Sequence, residues 1–322
     1  MHSQIAIRVG IAQKLLELAE ANKDIVVVTS DARGSAAIEK FFERFPDRSI
    51  EVGIAEQTAV GVAAGLSLCG KKTFVFGPAC FYSARSLEQV KNDVAYSGAD
   101  VKIMAVSGGV SYGPLGSTHH SLHDIAVYRA IPNIAVILPS DAHQGAAVVQ
   151  ALLNINQPAY VRVGRNPVPL LYSQQEDSFT FGKANILKEG KDLAIMAAGE
   201  VSWHALEAGK ILDSMGVKTT VIDIPCVKPL DAELILQVAR SVGKIMVVEE
   251  HSIHGGLGEA VCSLLSKNYP VPVEIIAIPD EYPVTGTQSE VYSNYNLDYS
   301  GIAKRAQEFL RRIEIGKIHT RD

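Results

Sequence analysis

Short β-branched runs alternate with helical stretches along most of this chain, and that alternation limits the fold more than any other feature. A strand followed by a helix before the next strand builds a parallel sheet with helices packed on its faces. Strands are predicted at residues 25–29, 73–76, 101–106, 135–138 and 159–163, with an opening helix at 5–21 and others at 83–96 and 142–154. Ile11, Leu15 and Leu18 mark one apolar face of the opening helix. After a polar stretch at 172–178, read as a linker, the pattern restarts with strands at 193–197, 218–222, 244–249 and 273–278. Helices at 201–215, 232–242, 258–267 and 302–315 complete this second unit. The expected fold class is α/β, with two parallel-sheet, three-layer domains at residues 1–175 and 185–322. A length of 322 residues, 47% of them hydrophobic and 20% charged, suits about two globular domains.

Charge and hydropathy remove several function classes. A formal net charge of −5 argues against general nucleic-acid binding. No apolar run is long enough to span a bilayer, and the N-terminus lacks a signal-like apolar region. A cytoplasmic location with no membrane partner is therefore expected. Cys69, Cys80, Cys226 and Cys262 are isolated, show no metal-ligand spacing and sit beside apolar residues, so buried thiols are expected.

In open parallel sheets, ligands bind in the loops beyond the C-terminal strand ends. Three such loops carry chemistry here. The run Val52-Gly53-Ile54-Ala55-Glu56-Gln57 sets one carboxylate between a strand end at 49–52 and a helix at 57–68. Ala59, Gly61, Ala63, Ala64 and Gly65 leave that helix little bulk, so a flat ligand or another backbone can approach. The loop from Phe76 to Tyr82 is aromatic. The loop from Ser107 to His120 holds several glycines and Pro114, and ends in Thr118-His119-His120. His119, His120, His123 and Asp124 also invite a metal reading, since His119 and His123 are four apart. No cysteine or further acid recurs at ligand spacing, so no metal site is expected on this chain.

On these residues the chain resembles the thiamine-diphosphate enzymes of the transketolase family, over nearly its whole length. The resemblance implies that Glu56 hydrogen-bonds a ring nitrogen of the cofactor's aminopyrimidine, and that His119 contacts the substrate's reacting hydroxyls. It implies stacking of the pyrimidine on Phe81, although Pro78 stands where an aromatic is usual. Arg85 matches a cofactor position too, with the subunit interface as its alternative role, and Asp31 matches a position near the cofactor. Arg8, Ser35 and Arg165 fall where the family binds a sugar phosphate, work that suits the planar donors of arginine. Arg162 brackets the same strand end and is consistent with a basic pocket at a sheet edge.

Two departures bear on substrate. Ser107 replaces a histidine, and Leu115 replaces an aspartate that contacts a donor hydroxyl in many sugar-phosphate transketolases. A pentulose phosphate of ordinary stereochemistry and a branched or otherwise unusual ketose phosphate both fit these substitutions, and the sequence does not choose between them. The family's diphosphate domain, with its Gly-Asp-Gly run and magnesium ligands, has no counterpart in the sequence. The resemblance therefore implies the C-terminal subunit of a split, two-chain transketolase that transfers a two-carbon ketol unit. A partner would supply the N-terminal, diphosphate-binding domain and most Mg2+ ligands, in an α2β2 assembly. The β subunit of a 2-oxo acid dehydrogenase and a non-catalytic regulatory subunit of the same fold are the alternatives. In the second unit, Glu250-His251-Ser252 through Gly258-Glu259-Ala260 matches the family's C-terminal domain. Its glycines mimic a dinucleotide-binding turn, but the third glycine position is Val261.

Overall fold

The computed structural model describes residues 3–174 and 177–319. The expected linker at 172–178 therefore lies partly outside the described residues. Fourteen strands are described: β1 (Gln4–Ala6), β2 (Ile25–Thr29), β3 (Ser49–Glu51), β4 (Lys72–Pro78), β5 (Val101–Val106), β6 (Ala135–Ile137), β7 (Ala159–Arg162), β8 (Pro167–Pro169), β9 (Asn185–Lys188), β10 (Leu193–Ala197), β11 (Thr219–Asp223), β12 (Cys226–Lys228), β13 (Ile245–Ser252) and β14 (Val273–Ile278). The first sheet has the order β12-β6-β7-β5-β4-β2-β3 and is parallel except for β12. The second has the order β14-β13-β10-β11-β9 and is parallel except for β9. A two-stranded antiparallel ribbon joins β1 to β8.

The central strands are fully buried, as expected of parallel strands covered on both faces. One face of the first sheet packs Phe74, Phe76 and Val161 against Ile7, Ile11 and Leu15 of the opening helix and Val148 and Leu152 of the helix Ala142–Leu152. Leu18 is only half-buried. The other face packs on Ala59, Val60 and Ala63, and this apolar cluster continues without a break into Ala194, Met196 and Val247 of the second sheet. The two sheets are thus joined by one core.

Several elements differ from expectation. The segment 83–96 is not one regular helix. It has a turn at Leu87–Gln89 and a π-helical stretch at Val90–Tyr96. Strands β8, β9 and β12 are too short to read from periodicity. β12 follows the second unit's β11, yet it pairs with β6 and extends the first sheet. Tyr172, in the expected linker, is anchored: its hydroxyl donates to Asp223 at 2.7 Å, and Asp141 accepts from its N–H. Cys80 and Cys226 are buried as expected, but Cys69 is exposed after the helix Glu56–Leu68, and Cys262 is half-buried.

Candidate active site

The order β7-β5-β4-β2-β3 lines up five successive strand ends along one edge of the first sheet. Arg165 follows β7, the glycine-rich loop follows β5, Phe81 and Arg85 follow β4, Asp31 and Ser35 follow β2, and Glu56 follows β3. Glu56 is the first residue of its helix and nearly buried, which suits a carboxylate because the N–H groups there are unpaired. It opens onto a depression of about 660 Å³ lined by Ile54, Ala55, Gln57, Thr58 and Arg85.

From Glu56 the candidate residues form an unbroken line of contacts. Arg85 Nη1 donates to Glu56 Oε1 at 2.9 Å, and the same guanidinium lies 3.9 Å above the Phe81 ring. The Phe81 and His119 rings meet edge to face at 5.5 Å, as do those of His119 and Tyr112. Arg165 lies 5.3 Å above the Tyr112 ring, and its Nη1 donates to Ser35 Oγ at 3.2 Å. Arg8 closes the line, donating from Nε to the Arg165 carbonyl at 3.0 Å and from Nη1 to the Ser35 carbonyl at 2.9 Å. Burial, and then the neighbouring Arg165 charge, hold the Arg8 guanidinium below its usual range. Two like charges held together in this way would favour an anion beside them.

Asp31 stands apart from this line. It has a left-handed φ of 54° at the end of β2, and its N–H donates to Glu51 Oε1 at 2.8 Å. Glu51 also accepts from Gly53 N–H and Arg33 Nε, so it is Glu51 that ties the β2 and β3 ends together. Glu51 and Tyr112 were not singled out from the sequence. Tyr112 did carry a signal, as the one aromatic among the glycines of its loop.

The histidines diverge. His119 Nδ1 pairs with Thr118 Oγ1 at 3.0 Å, His123 Nε2 with Ser83 Oγ at 3.0 Å, and His120 Nε2 donates to the Gly113 carbonyl at 3.1 Å. Burial lowers the His120 pKa and so favours the neutral ring, whose buried Nδ1 has no hydrogen-bond partner among the described residues. Among the described residues no group of three His, Cys, Asp or Glu side chains is placed to hold a metal ion.

Two placements differ from the sequence reading. Arg162 does not line an edge pocket. It is buried between Asp124, 3.1 Å from Nε, and Glu250, 3.3 Å from Nη2, because β7 is an interior strand. His251, beyond the strand end expected at 249, belongs to β13 and is fully buried. Its Nε2 accepts from Ala126 N–H at 3.4 Å, and burial pushes its pKa down to about 4. At the glycine turn of the second unit, Glu249 accepts from Leu257 N–H at 2.6 Å and Gly258 N–H at 2.8 Å. An internal carboxylate thus occupies the place a nucleotide phosphate would need.

The residues present fit the aminopyrimidine end of thiamine diphosphate: a nearly buried carboxylate, an aromatic ring joined to it through one arginine, and an open depression beside them. They also fit a terminal phosphate at the Arg8–Arg165 pair. The pyrimidine-binding domain of transketolase matches residues 3–169, and the transketolase C-terminal domain matches residues 182–302.

The chain belongs to the transketolase family.

It is 52% identical over 311 residues to one of the subunits of the apulose-4-phosphate transketolase of Phocaeicola vulgatus, covering 97% of this chain and 99% of that one. It is 34% identical to the 6-deoxy-6-sulfo-D-fructose transketolase subunit SqwH of a Clostridium species, covering 92% of each. Among solved structures, a split-gene transketolase described as an inactive beta4 tetramer superposes with a TM-score of 0.89 at 37% identity. That match covers 95% of this chain and 99% of that one. The chain thus carries the domain pair of the C-terminal subunit of a split transketolase, a ketol transferase. The 2-oxo acid dehydrogenase and regulatory-subunit alternatives are not favoured. Membership of the family implies dependence on thiamine diphosphate. Among the described residues no helix is long and apolar enough to cross a membrane.

Proposed function

We propose that this chain supplies the aminopyrimidine wall and the sugar-phosphate cradle of a transketolase acting on an unusual ketose phosphate. The observation that carries the reading is the unbroken contact line from the Glu56 carboxylate to the Arg8–Arg165 pair. When bound, thiamine diphosphate supplies the centre that stabilises the transferred two-carbon carbanion. Glu56 holds a proton on the pyrimidine ring nitrogen, and Phe81 offers the ring a flat apolar face. Arg85 anchors the Glu56 carboxylate from the side, and Asp31 borders the cofactor at the subunit contact. His119, fixed by Thr118, hydrogen-bonds the reacting sugar oxygen as charge develops on it. Arg8, Ser35 and Arg165 hold the terminal phosphate.

The partner subunit carries the diphosphate domain and the Mg2+ ligands, in an α2β2 assembly. The exposed apolar side chains of Ile54 (75%) beside Glu56 and Leu115 (54%) on the His119 loop suit a surface that a second chain covers. We take residues 1–175 as the pyrimidine-binding unit and 185–322 as the C-terminal unit. Cytoplasmic action suits four cysteines that are all unpaired thiols. For the donor, the relative at 52% identity points to apulose 4-phosphate, and Leu115 removes the carboxylate that would select a hydroxyl of an ordinary ketose. Ketol transfer by the assembled enzyme from apulose 4-phosphate, 6-deoxy-6-sulfo-D-fructose and xylulose 5-phosphate tests the donor. A kcat/KM for xylulose 5-phosphate equal to or above that for the other two would overturn it.

A further inference from the structure

The loop that carries His119 is built against the C-terminal unit. Val110, near its start, is buried in an apolar cluster otherwise formed by residues from Leu193 onward, among them Val248, Val291 and Tyr292. Its N–H donates to Glu250 Oε1 at 3.0 Å. Gly109 has a left-handed φ of 59°, and a Cβ there would fall 2.1 Å from Glu250 Cδ, so backbone and carboxylate meet as closely as a glycine allows. From Val110 a run of turn hydrogen bonds leads to the histidine. Gly113 N–H donates to the Val110 carbonyl at 2.8 Å, Gly116 N–H to that of Gly113 at 3.0 Å, and His119 N–H to that of Gly116 at 2.9 Å.

A second tether runs through Gln288, the first residue of the helix Gln288–Asn294. Its Nε2 lies 2.7 Å from Glu200 Oε2 and 3.2 Å from Glu250 Oε1, while its Oε1 accepts from Asn166 Nδ2 at 2.8 Å. Asn166 follows Arg165 in sequence, and the same Nδ2 reaches the Ser111 carbonyl at 3.4 Å. Gly113 also abuts the C-terminal unit, since a Cβ there would stand 2.9 Å from the Gly286 carbonyl oxygen.

We propose that Glu250 and Gln288 are positioning residues for His119, so that the C-terminal unit sets where the catalytic histidine stands. Neither belongs to the line of contacts that runs from Glu56 to Arg8. Glu250 fixes the start of the loop from beneath, and Gln288 ties the loop to the phosphate-binding strand end. A buried polar tether acts in this way because releasing it leaves its partners desolvated and unpaired.

The inference rests on His119 contacting substrate, but its first test does not. Hydrogen exchange is measured by mass spectrometry on this chain alone, as wild type, Gln288→Ala and Glu250→Gln. In Gln288→Ala the expected result is exchange about fivefold to tenfold faster in peptides spanning 108–121, with peptides over β2 and β10 unchanged; Glu250→Gln, which also strips Arg162 of a partner, is expected to raise exchange in 108–121 by more than in β2 and β10. Unchanged exchange in 108–121 overturns the proposal. So does a uniform rise across the second sheet, which marks a merely structural role. With the partner, Gln288→Ala is expected to lower kcat severalfold while the KM for the sugar phosphate stays within about twofold. Gln288→Asn, which keeps the amide, is expected to recover part of the loss. Exchange that rises without any fall in kcat overturns the link to His119. A His119→Ala variant, run alongside, separates failure of this inference from failure of the site: unchanged turnover there refutes the histidine's role itself.

Discussion

Replacing Arg162 by Met would strand two buried carboxylates. The guanidinium stands 3.1 Å from Asp124 and 3.3 Å from Glu250, and it also donates to the Glu250 carbonyl at 2.7 Å. At an effective dielectric of about 20, each of these charge pairs amounts to about 5 kcal/mol of gross attraction. Most of that offsets the desolvation of three buried ions, so the net loss is smaller. Removing one partner of such a cluster costs about 3–5 kcal/mol, because the charges left behind keep their burial and lose their compensation. We expect Arg162→Met to destabilise the chain by that amount in urea denaturation, through a lower midpoint at unchanged slope. Burial already raises the Glu250 pKa, and the Arg162 charge restrains that rise. Without Arg162 the pKa climbs further, so the deficit should be larger at pH 8 than at pH 5. Adding Asp124→Asn should recover part of the loss, giving a coupling energy of about 1–3 kcal/mol. A loss below about 1 kcal/mol, or no recovery in the double variant, would refute the charge accounting.

Other consequences are equally direct. Burial pushes the pKa values of His251 and His204 down to about 4, from an ordinary value of 6.5. The unfolded chain then binds more protons than the folded one between pH 6.5 and 4, so the stability from burying these rings neutral is present above pH 6.5 and lost as pH falls through 4. The slope should approach about 1.4 kcal/mol per pH unit for each histidine, and His251→Asn should flatten it in thermal melts across that window. Equal slopes for wild type and variant would count against the buried neutral ring. At the phosphate cradle, Arg165→Ala in the assembled enzyme should raise the KM for a ketose phosphate about 10- to 100-fold, the effect of losing a charge-assisted contact, with kcat changed far less. An unchanged KM in steady-state kinetics would place the phosphate elsewhere.

Much of this was legible in the sequence, for physical reasons. The central strands read well because burial on both faces makes them continuous β-branched runs: residues 25–29 and 101–106 fall on β2 and β5. The opening helix read well from its apolar spacing, apart from the first residues, which pair with β8. The line from Glu56 to Arg8 was legible residue by residue through resemblance, but its closure through Tyr112 depends on distances no spacing encodes. Arg162 misled because a lone arginine at a strand end looks the same whether it faces solvent or a carboxylate 88 residues away, and only the strand order decides. β12 was hidden for a similar reason. Three residues carry no period, and their partner β6 lies in the other half of the chain. The anchoring of the His119 loop by Glu250 and Gln288 is likewise a long-range contact without local signature.

On the function proposed above, this chain is half of an enzyme, holding the pyrimidine end of a cofactor whose diphosphate end belongs to a partner. Native mass spectrometry tests it most directly, on the chain alone and on the chain purified with its co-expressed partner, each with Mg2+ and thiamine diphosphate. We expect a mixed tetramer of two copies of each chain that retains thiamine diphosphate and loses ketol transfer on Glu56→Gln without losing assembly, while the isolated chain stays free of cofactor and inactive. Stoichiometric thiamine diphosphate on the isolated chain, or full turnover by the Glu56→Gln assembly, would contradict it.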